Sequence, residues 1–293
     1  MYGTSSVIVY PLIFILLIII ILTCTYALSI IFISRFHTAS NLLTLNVCFI
    51  SCLGSIYWLI YFLIFVFFPK KIEAYFFSCR IIPYFQMVIN CSIVYALLMI
   101  TINRFVLVIY PNKGFLKCHK CIFISIFLQW IVAFILPLPL LIQSTKVTMI
   151  SLWLRIYQLI ILVILPSFLN GLFNILILKK VRLSIRRLGK GIVKSSVNNL
   201  STKCLNSRDV CLLKHMLFIH IVFVIGWLPI NLLFILQIYV DVSVTIYFLV
   251  HVLPALTLLI NILDLYLFNR EVRQHLKEKL VTNCSSIDKN SSF

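Results

Sequence analysis

Seven long apolar runs dominate the chain and limit what it can fold into. The hydrocarbon core of a bilayer is about 30 Å thick, so a helix needs roughly 20 apolar residues to cross it. The runs are continuously apolar, whereas the strands of a membrane barrel would alternate between apolar and polar residues. The sequence therefore predicts an all-α membrane protein, a seven-transmembrane helix bundle, with spans at about 7–34, 42–68, 76–109, 122–142, 153–178, 213–239 and 246–268.

The composition argues against a soluble domain. Of the 293 residues, 62% are hydrophobic and only 11% are charged, whereas about 25% of the residues in soluble domains are charged. The first apolar run has neither a basic leader nor a small-residue cleavage site. We therefore interpret it as a retained membrane span and not as a signal peptide.

The distribution of the basic residues predicts the orientation. If the amino terminus is outside the cell, 19 of the 25 Lys and Arg residues lie in cytoplasmic segments. Five lie in outer segments, namely Lys70, Lys71, Arg80, Lys146 and Arg155. Basic residues are enriched in cytoplasmic loops, where they face anionic lipid. The sequence therefore predicts a multi-pass plasma-membrane protein with an extracellular amino terminus and a cytoplasmic carboxyl terminus. The net charge of +18 is then explained by membrane lipid, and no nucleic-acid partner is expected.

The pattern divides the chain into four parts. A short extracellular segment over 1–10 precedes the seven-span domain over 11–268. Residues 269–280 predict a short amphipathic helix on the membrane surface, because Val272 and Leu276 lie one helical turn apart among charged residues. Residues 281–293 are expected to be a disordered cytoplasmic tail. Between spans 5 and 6, the Ser/Asn-rich stretch 195–207 predicts a flexible loop.

Arg104 is the clearest candidate for a functional residue inside the membrane. An ionisable side chain in hydrocarbon is costly, so its presence favours a function. Its segment, Asn103-Arg104-Phe105, resembles the Asp-Arg-Tyr motif of rhodopsin-like (class A) G-protein-coupled receptors. Further similarities follow in the family's order: Asn41, Asn46, Trp130, Pro166, the Phe223-to-Pro229 segment with Trp227, and Asn261 in Asn261-Ile262-Leu263-Asp264-Leu265.

The resemblance implies a receptor that transmits an extracellular small-molecule or peptide signal to heterotrimeric G proteins, with no catalysis of its own. Pro229 would give span 6 a hinge, since proline removes a helical hydrogen bond. Asp209 stands where the family often has an acid that pairs with the arginine of span 3. The residues implied for coupling and switching are Arg104, Asn103, Phe105, Asp209, Pro229, Trp227, Phe223, Pro166 and Asn261.

The resemblance also implies a ligand-binding cavity between the spans. Gln86 stands where amine receptors have an aspartate, so a biogenic amine is not expected. The implied set is neutral, polar and aromatic, and it suits an uncharged or weakly charged extracellular ligand. Its members are Gln86, Met87, Asn90, Gln158, Asn231, Gln237, Tyr247 and His251.

Several positions depart from the family pattern. Ser51 replaces the aspartate of span 2, so no sodium regulation is expected. Cys79 has no cysteine partner in outer loop 2, and the disulfide implied by the family is therefore not expected. Cys118-His119-Lys120-Cys121 stands without a second pair of ligands. No metal site and no cofactor are expected.

Three other interpretations remain open. The departures at Asn103, Ile262 and Leu265 are compatible with a receptor-fold membrane protein that no longer signals. A small-solute transporter or channel would need paired charges within the membrane, and only Asp264 and His251 offer any. A membrane enzyme would need a cluster of acid, base and metal-binding residues, which the sequence does not provide.

Overall fold

The structure, a computed structural model, describes residues 2–32, 39–67, 81–110, 119–142, 152–191 and 199–268. These ranges contain helices and turns and no strand. A π-helical turn, Ile160–Ile164, joins two of the helices into one continuous span. The α-helices are Tyr2–Phe32, Ala39–Phe67, Ile81–Ile109, His119–Ile135, Pro139–Ile142, Leu152–Leu159, Leu165–Gly191, Asn199–Leu236 and Val244–Phe268.

Seven of the helical stretches are long and apolar enough to cross a bilayer, which confirms the seven predicted spans. We number them 1 to 7 in chain order. Their bounds are Val9–Phe32, Asn41–Ile64, Ile81–Ile109, His119–Leu141, Leu152–Lys180, Leu217–Leu236 and Val244–Leu267.

The connecting segments agree less closely with the sequence. The predicted outer segment 1–10 is already helical from Tyr2. The prediction of a flexible loop over 195–207 was wrong from Asn199 onward, because the helix of span 6 begins there. Extending an existing helix adds one hydrogen bond per residue and needs no new nucleus. The predicted surface helix 269–280 and the predicted tail 281–293 lie outside the described residues.

Spans 1, 2, 3, 5, 6 and 7 form a closed ring of contacts, and span 4 packs against spans 2 and 3. Span 1 packs against spans 2 and 7, span 6 packs against spans 5 and 7, and span 3 contacts spans 2, 4 and 5. Consecutive spans run in opposite directions. Spans 1, 3, 5 and 7 therefore begin at one end of the bundle, which we call the amino-terminal end, and finish at the other, the carboxyl-terminal end.

Unlike a soluble protein, the bundle has an apolar outer surface, and polar side chains lie in its interior. Large apolar side chains face outward, including Phe14 at 65% exposed and Phe127 at 66% exposed. Buried polar side chains such as Asn46, Asn231 and Asn261 face one another or the interior. This arrangement fits a lipid solvent, in which polar groups are placed inside the bundle and mark functional regions.

Candidate functional site

A cavity lies between the spans in the half of the bundle nearer the amino-terminal end. Its volume is about 540 Å³, counting the space at its open side. The centre of a water molecule can reach about 40 Å³ of it, so the enclosed part is narrow. The cavity is lined from spans 1, 2, 3, 5, 6 and 7.

Aromatic rings form one wall of the cavity around His251. The ring of Tyr247 lies 4.2 Å from the imidazole, measured between centroids, and the ring of Trp58 lies 5.4 Å away. Phe62 and Phe234 approach the same imidazole at 6.1 Å each. Since these rings come from spans 2, 6 and 7, a ligand that displaces one of them changes the packing of all three spans.

On the cavity lining, three polar side chains have a buried polar atom without a hydrogen-bond partner among the described residues, and a fourth bonds the backbone of its own helix. His251 Nδ1 bonds the carbonyl oxygen of Tyr247 at 2.8 Å, so Nδ1 donates and Nε2 of the neutral ring is left as an acceptor. Nε2, Asn90 Oδ1 and the indole nitrogen of Trp227 are buried with no hydrogen-bond partner among the described residues. The amide nitrogen of Asn231 donates to the carbonyl oxygen of Trp227 at 2.8 Å. The lining therefore offers a ligand one indole donor and two acceptors.

The structure brings half of the predicted ligand set to the cavity. Gln86, Asn90, Asn231 and His251 line it. Tyr247 lies behind the lining, against the imidazole of His251. The other three do not line it: Met87 and Gln158 are buried elsewhere in the bundle, and Gln237 lies in the turn after span 6.

Sequence reasoning missed the part of the cavity that spans 1 and 2 provide. Leu12, Leu16, Trp58 and Phe62 line it, yet none of them belongs to a motif. The aromatic run Tyr57-Trp58-x-x-Tyr61-Phe62 was the available signal, because such a cluster on one helix exceeds what lipid contact requires.

Arg155 also escaped the sequence analysis, which counted it with the outer loops. It lies in the first turns of span 5, where its guanidinium carbon is 5.0 Å from the centroid of the Phe234 ring. Phe234 lines the cavity. The arginine is half-buried, and its Nε atom has no hydrogen-bond partner among the described residues. A cation therefore stands directly behind one wall of the cavity.

The predicted hinge lies at the floor of the cavity. Trp227 is 4% exposed and lines the cavity, and the ring of Phe223 follows one turn deeper at 6.3 Å from the indole. Pro229 sits within the continuous helix Asn199–Leu236 and cannot donate to the carbonyl of Ile225. The cavity is therefore adjacent to the position in span 6 where a backbone hydrogen bond of the helix is missing.

Gly226 permits a close approach of spans 6 and 7 at the same level. A Cβ atom added there would lie 1.9 Å from Oγ1 of Thr257. Thr257 is buried, and its hydroxyl donates to the carbonyl oxygen of Val222 at 3.3 Å. The glycine, which replaces the cysteine of the family motif, therefore lets Thr257 reach the backbone of span 6.

Span 5 contains a second irregularity next to Pro166. In the π turn Ile160–Ile164, the amide of Leu165 donates to the carbonyl of Ile160, five residues back. The same register directs the carbonyl of Ile161 toward the nitrogen of Pro166, which carries no hydrogen. The hydroxyl of Tyr95 in span 3 donates to that carbonyl at 3.3 Å. π turns of this kind often occur at functional sites.

Arg104 lies near the carboxyl-terminal end of the bundle, half-buried in span 3. The acid whose charge acts on it is Asp264 of span 7, which is 6% exposed. Its neighbour Phe105 packs against Phe173 of span 5 with ring centroids 5.0 Å apart. The side chain of Asp209 lies outside the described residues, so the predicted pair of Arg104 and Asp209 stays a prediction.

Asn261 and the residues after it connect span 7 to its neighbours. Both amide atoms of Asn261 are buried without a hydrogen-bond partner among the described residues. Tyr266, one position after the leucine that replaces the family tyrosine, contacts the hydroxyl of Thr25 at 2.6 Å and donates to the carbonyl of Leu22 at 2.8 Å. The phenol of Tyr266 therefore ties span 7 to span 1 and does not occupy the centre of the bundle.

Spans 2, 3 and 4 are joined by a hydrogen-bond network. Asn46 donates to the side-chain oxygen of Gln129 at 2.9 Å and accepts from the indole of Trp130 at 3.2 Å. Gln129 in turn donates to the carbonyl oxygen of Ser92 at 3.2 Å. All four members lie in the interior or at its edge, and the network fixes these three spans relative to one another.

Comparison with known proteins agrees with this architecture. The family described as 7 transmembrane receptor (rhodopsin family) matches residues 24–264. A search of the curated proteins gave no match. The chain belongs to the rhodopsin family of seven-transmembrane receptors. It is therefore a multi-pass membrane protein of a receptor family, which is not a family of enzymes, and the family as a whole binds extracellular ligands and G proteins.

Proposed function

We propose that this receptor resides in the plasma membrane, binds a small extracellular ligand in the cavity and activates a heterotrimeric G protein at the carboxyl-terminal end. The observation that carries the proposal is the position of Trp227. Its indole lines the cavity, and Pro229 follows two residues later in the same helix. A ligand that repacks Trp227 therefore acts directly on the hinge of span 6.

The opposite end of the same helix lies at the carboxyl-terminal end of the bundle, as Arg104 does. Span 6 begins at Leu217, and the helix extends a further eighteen residues toward the cytoplasm in the predicted orientation, to Asn199. A small rotation at Pro229 is amplified over this length. Outward motion of the segment would open a cleft beside Arg104 for a helix of the G-protein α-subunit.

The charge of Asp264 supports a resting state in which Arg104 is held inside the bundle. The electrostatic attraction between a half-buried guanidinium and a buried carboxylate offsets part of the cost of placing both in a low-dielectric region. Loss of this attraction, or of the predicted pair with Asp209, would free Arg104 to contact the G protein.

Nucleotide exchange tests the proposal without knowledge of the ligand. Wild type and Arg104→Ala are compared in membranes with each G-protein class, after normalisation for surface expression. We expect basal exchange from the wild type and a large loss in Arg104→Ala. Arg182→Ala serves as the control, because Arg182 is an exposed arginine at the same end of the bundle. Equal exchange in all three across every G-protein class would contradict coupling and favour a receptor fold that no longer signals.

A further inference from the structure

We infer that the ligand is a small organic monocarboxylate with an apolar body, anchored by Arg155. This inference rests on the proposed function and specifies the ligand class of the same cavity. It replaces the expectation of an uncharged or weakly charged ligand, which followed from an implied ligand set that is neutral and does not include Arg155.

The position of Arg155 is the first reason. An arginine that only extends toward the membrane surface would leave its head in the headgroup region. Here the guanidinium lies 5.0 Å over the ring of Phe234, a residue of the cavity lining. The neighbouring Trp153 and Ile156 face outward at 57% and 41% exposed, whereas Leu154 is fully buried. The guanidinium therefore lies against the side of the cavity wall that Phe234 forms.

The missing counter-charge is the second reason. Among the described residues, the guanidinium of Arg155 lies over the Phe234 ring, and the Tyr247 hydroxyl acts on it electrostatically. Neither group is an acid, and the buried Nε donor has no hydrogen-bond partner among the described residues. A half-buried guanidinium without an acid beside it is costly in an apolar region, and an anionic ligand would reduce that cost. A carboxylate also matches the fork of donors that a guanidinium presents.

The rest of the cavity defines the body of the ligand. The wall beyond Phe234 is made of apolar and aromatic side chains, including Leu12, Leu16, Leu162 and Phe62. One guanidinium balances one negative charge, so a dianionic phosphate would bring an excess charge into a low-dielectric region. A cationic ligand would be repelled by the same arginine. The enclosed space is narrow, which favours a slender chain or a single ring.

A stability assay with matched probes tests the ligand class. The full chain is purified in detergent, and its melting temperature is measured with phenylacetate, phenylbutyrate, octanoate and decanoate. Each acid is compared with its primary amide and its primary amine, and octanoate also with octyl phosphate. We expect at least one acid to raise the melting temperature by about 5 °C at saturation, while its amide and amine do not. The inference is overturned if no acid exceeds its amide, or if the phosphate exceeds every acid.

Substitution of the arginine tests the anchor. Arg155→Gln should weaken binding of the stabilising acid by about 30-fold or more, and Arg155→Lys should restore part of the affinity. Arg182→Gln, which removes an exposed arginine far from the cavity, should bind as the wild type does. Without ligand, Arg155→Gln should melt no lower than the wild type. Two results would assign Arg155 a structural role. One is unchanged acid binding in Arg155→Gln, and the other is a ligand-free melting temperature below that of the wild type in both Arg155→Gln and Arg155→Lys.

The two proposals fail separately in these experiments, because binding is measured without a G protein. If an acid binds through Arg155 but nucleotide exchange is insensitive to Arg104→Ala, the ligand class stands and the coupling function does not. If exchange depends on Arg104 but no acid exceeds its amide, the coupling function stands and the carboxylate inference is overturned.

Discussion

The two sides of the bundle satisfy their buried polar groups to different degrees. On the side of spans 2, 3 and 4, Asn46, Gln129 and Trp130 bond one another across the helices. On the side of spans 5, 6 and 7, nine buried polar atoms have no partner among the described residues, including those of Asn174, His251 and Asn261, whereas spans 2 and 3 contain three such atoms. The π turn Ile160–Ile164 also lies on this second side.

This difference indicates which side moves. A network of hydrogen bonds between buried side chains on different helices favours one arrangement of those helices, and separating the bonded groups is costly. Helices whose buried polar groups lack protein partners lose little when they shift, and prolines within them, such as Pro229 and Pro254, lower the cost of bending. We therefore regard spans 2 to 4 as a frame and spans 5 to 7 as the movable part.

The largest expected effect comes from the frame. Asn46→Leu removes two hydrogen bonds and leaves the Gln129 oxygen and the Trp130 indole without partners. We expect the free energy of unfolding to fall by about 2–3 kcal/mol, seen as a lower melting temperature in detergent. If the melting temperature were unchanged, the network would not hold spans 2 to 4 together.

A smaller loss is expected at the contact of spans 6 and 7. In Gly226→Ala, the new Cβ meets Thr257 Oγ1 at 1.9 Å, and the overpacking should cost about 1–3 kcal/mol. Adding Thr257→Ala should recover part of the loss, as a double-mutant cycle would measure. Gly171→Ala is the matched control, because a Cβ there meets nothing within 4 Å. A similar melting temperature for both alanine variants would contradict the close approach.

The smallest expected effect on stability is at Asn261, which makes the sharpest comparison with Asn46. Both are buried asparagines, at 4% and 9% exposed, but Asn261 makes no hydrogen bond to a described protein atom. Asn261→Leu should change the free energy of unfolding by less than about 1 kcal/mol, while basal nucleotide exchange changes. A loss of stability as large as that of Asn46→Leu would remove the distinction between frame and movable part.

The sequence was sufficient for the spans because the bilayer imposes a length and an apolar composition on every crossing helix. The predicted and observed bounds of span 4, 122–142 and His119–Leu141, differ by few residues. The residues of the hinge could also be recognised, since Trp227 and Pro229 belong to a family motif with fixed spacing.

The cavity was only partly accessible from the sequence. Trp58 and Phe62 belong to no motif, and their role depends on how span 2 is rotated toward span 7, which periodicity in a uniformly apolar helix does not define. Arg155 lies close to a predicted loop boundary, and a shift of a few residues decides whether it faces water or the cavity. The acid that acts on Arg104 could not be chosen either, because Asp264 and Asp209 were both available.

A pair of distance measurements tests the division into frame and movable part most directly. Spin labels are placed at the exposed positions of Phe218 in span 6 and Phe123 in span 4, and for the frame at Phe49 in span 2 and Phe123, in a background whose reactive cysteines are replaced. When nucleotide-free G protein binds, the account predicts a longer distance between spans 6 and 4 and an unchanged distance between spans 2 and 4. If both distances stayed the same, or both changed equally, the account would be contradicted.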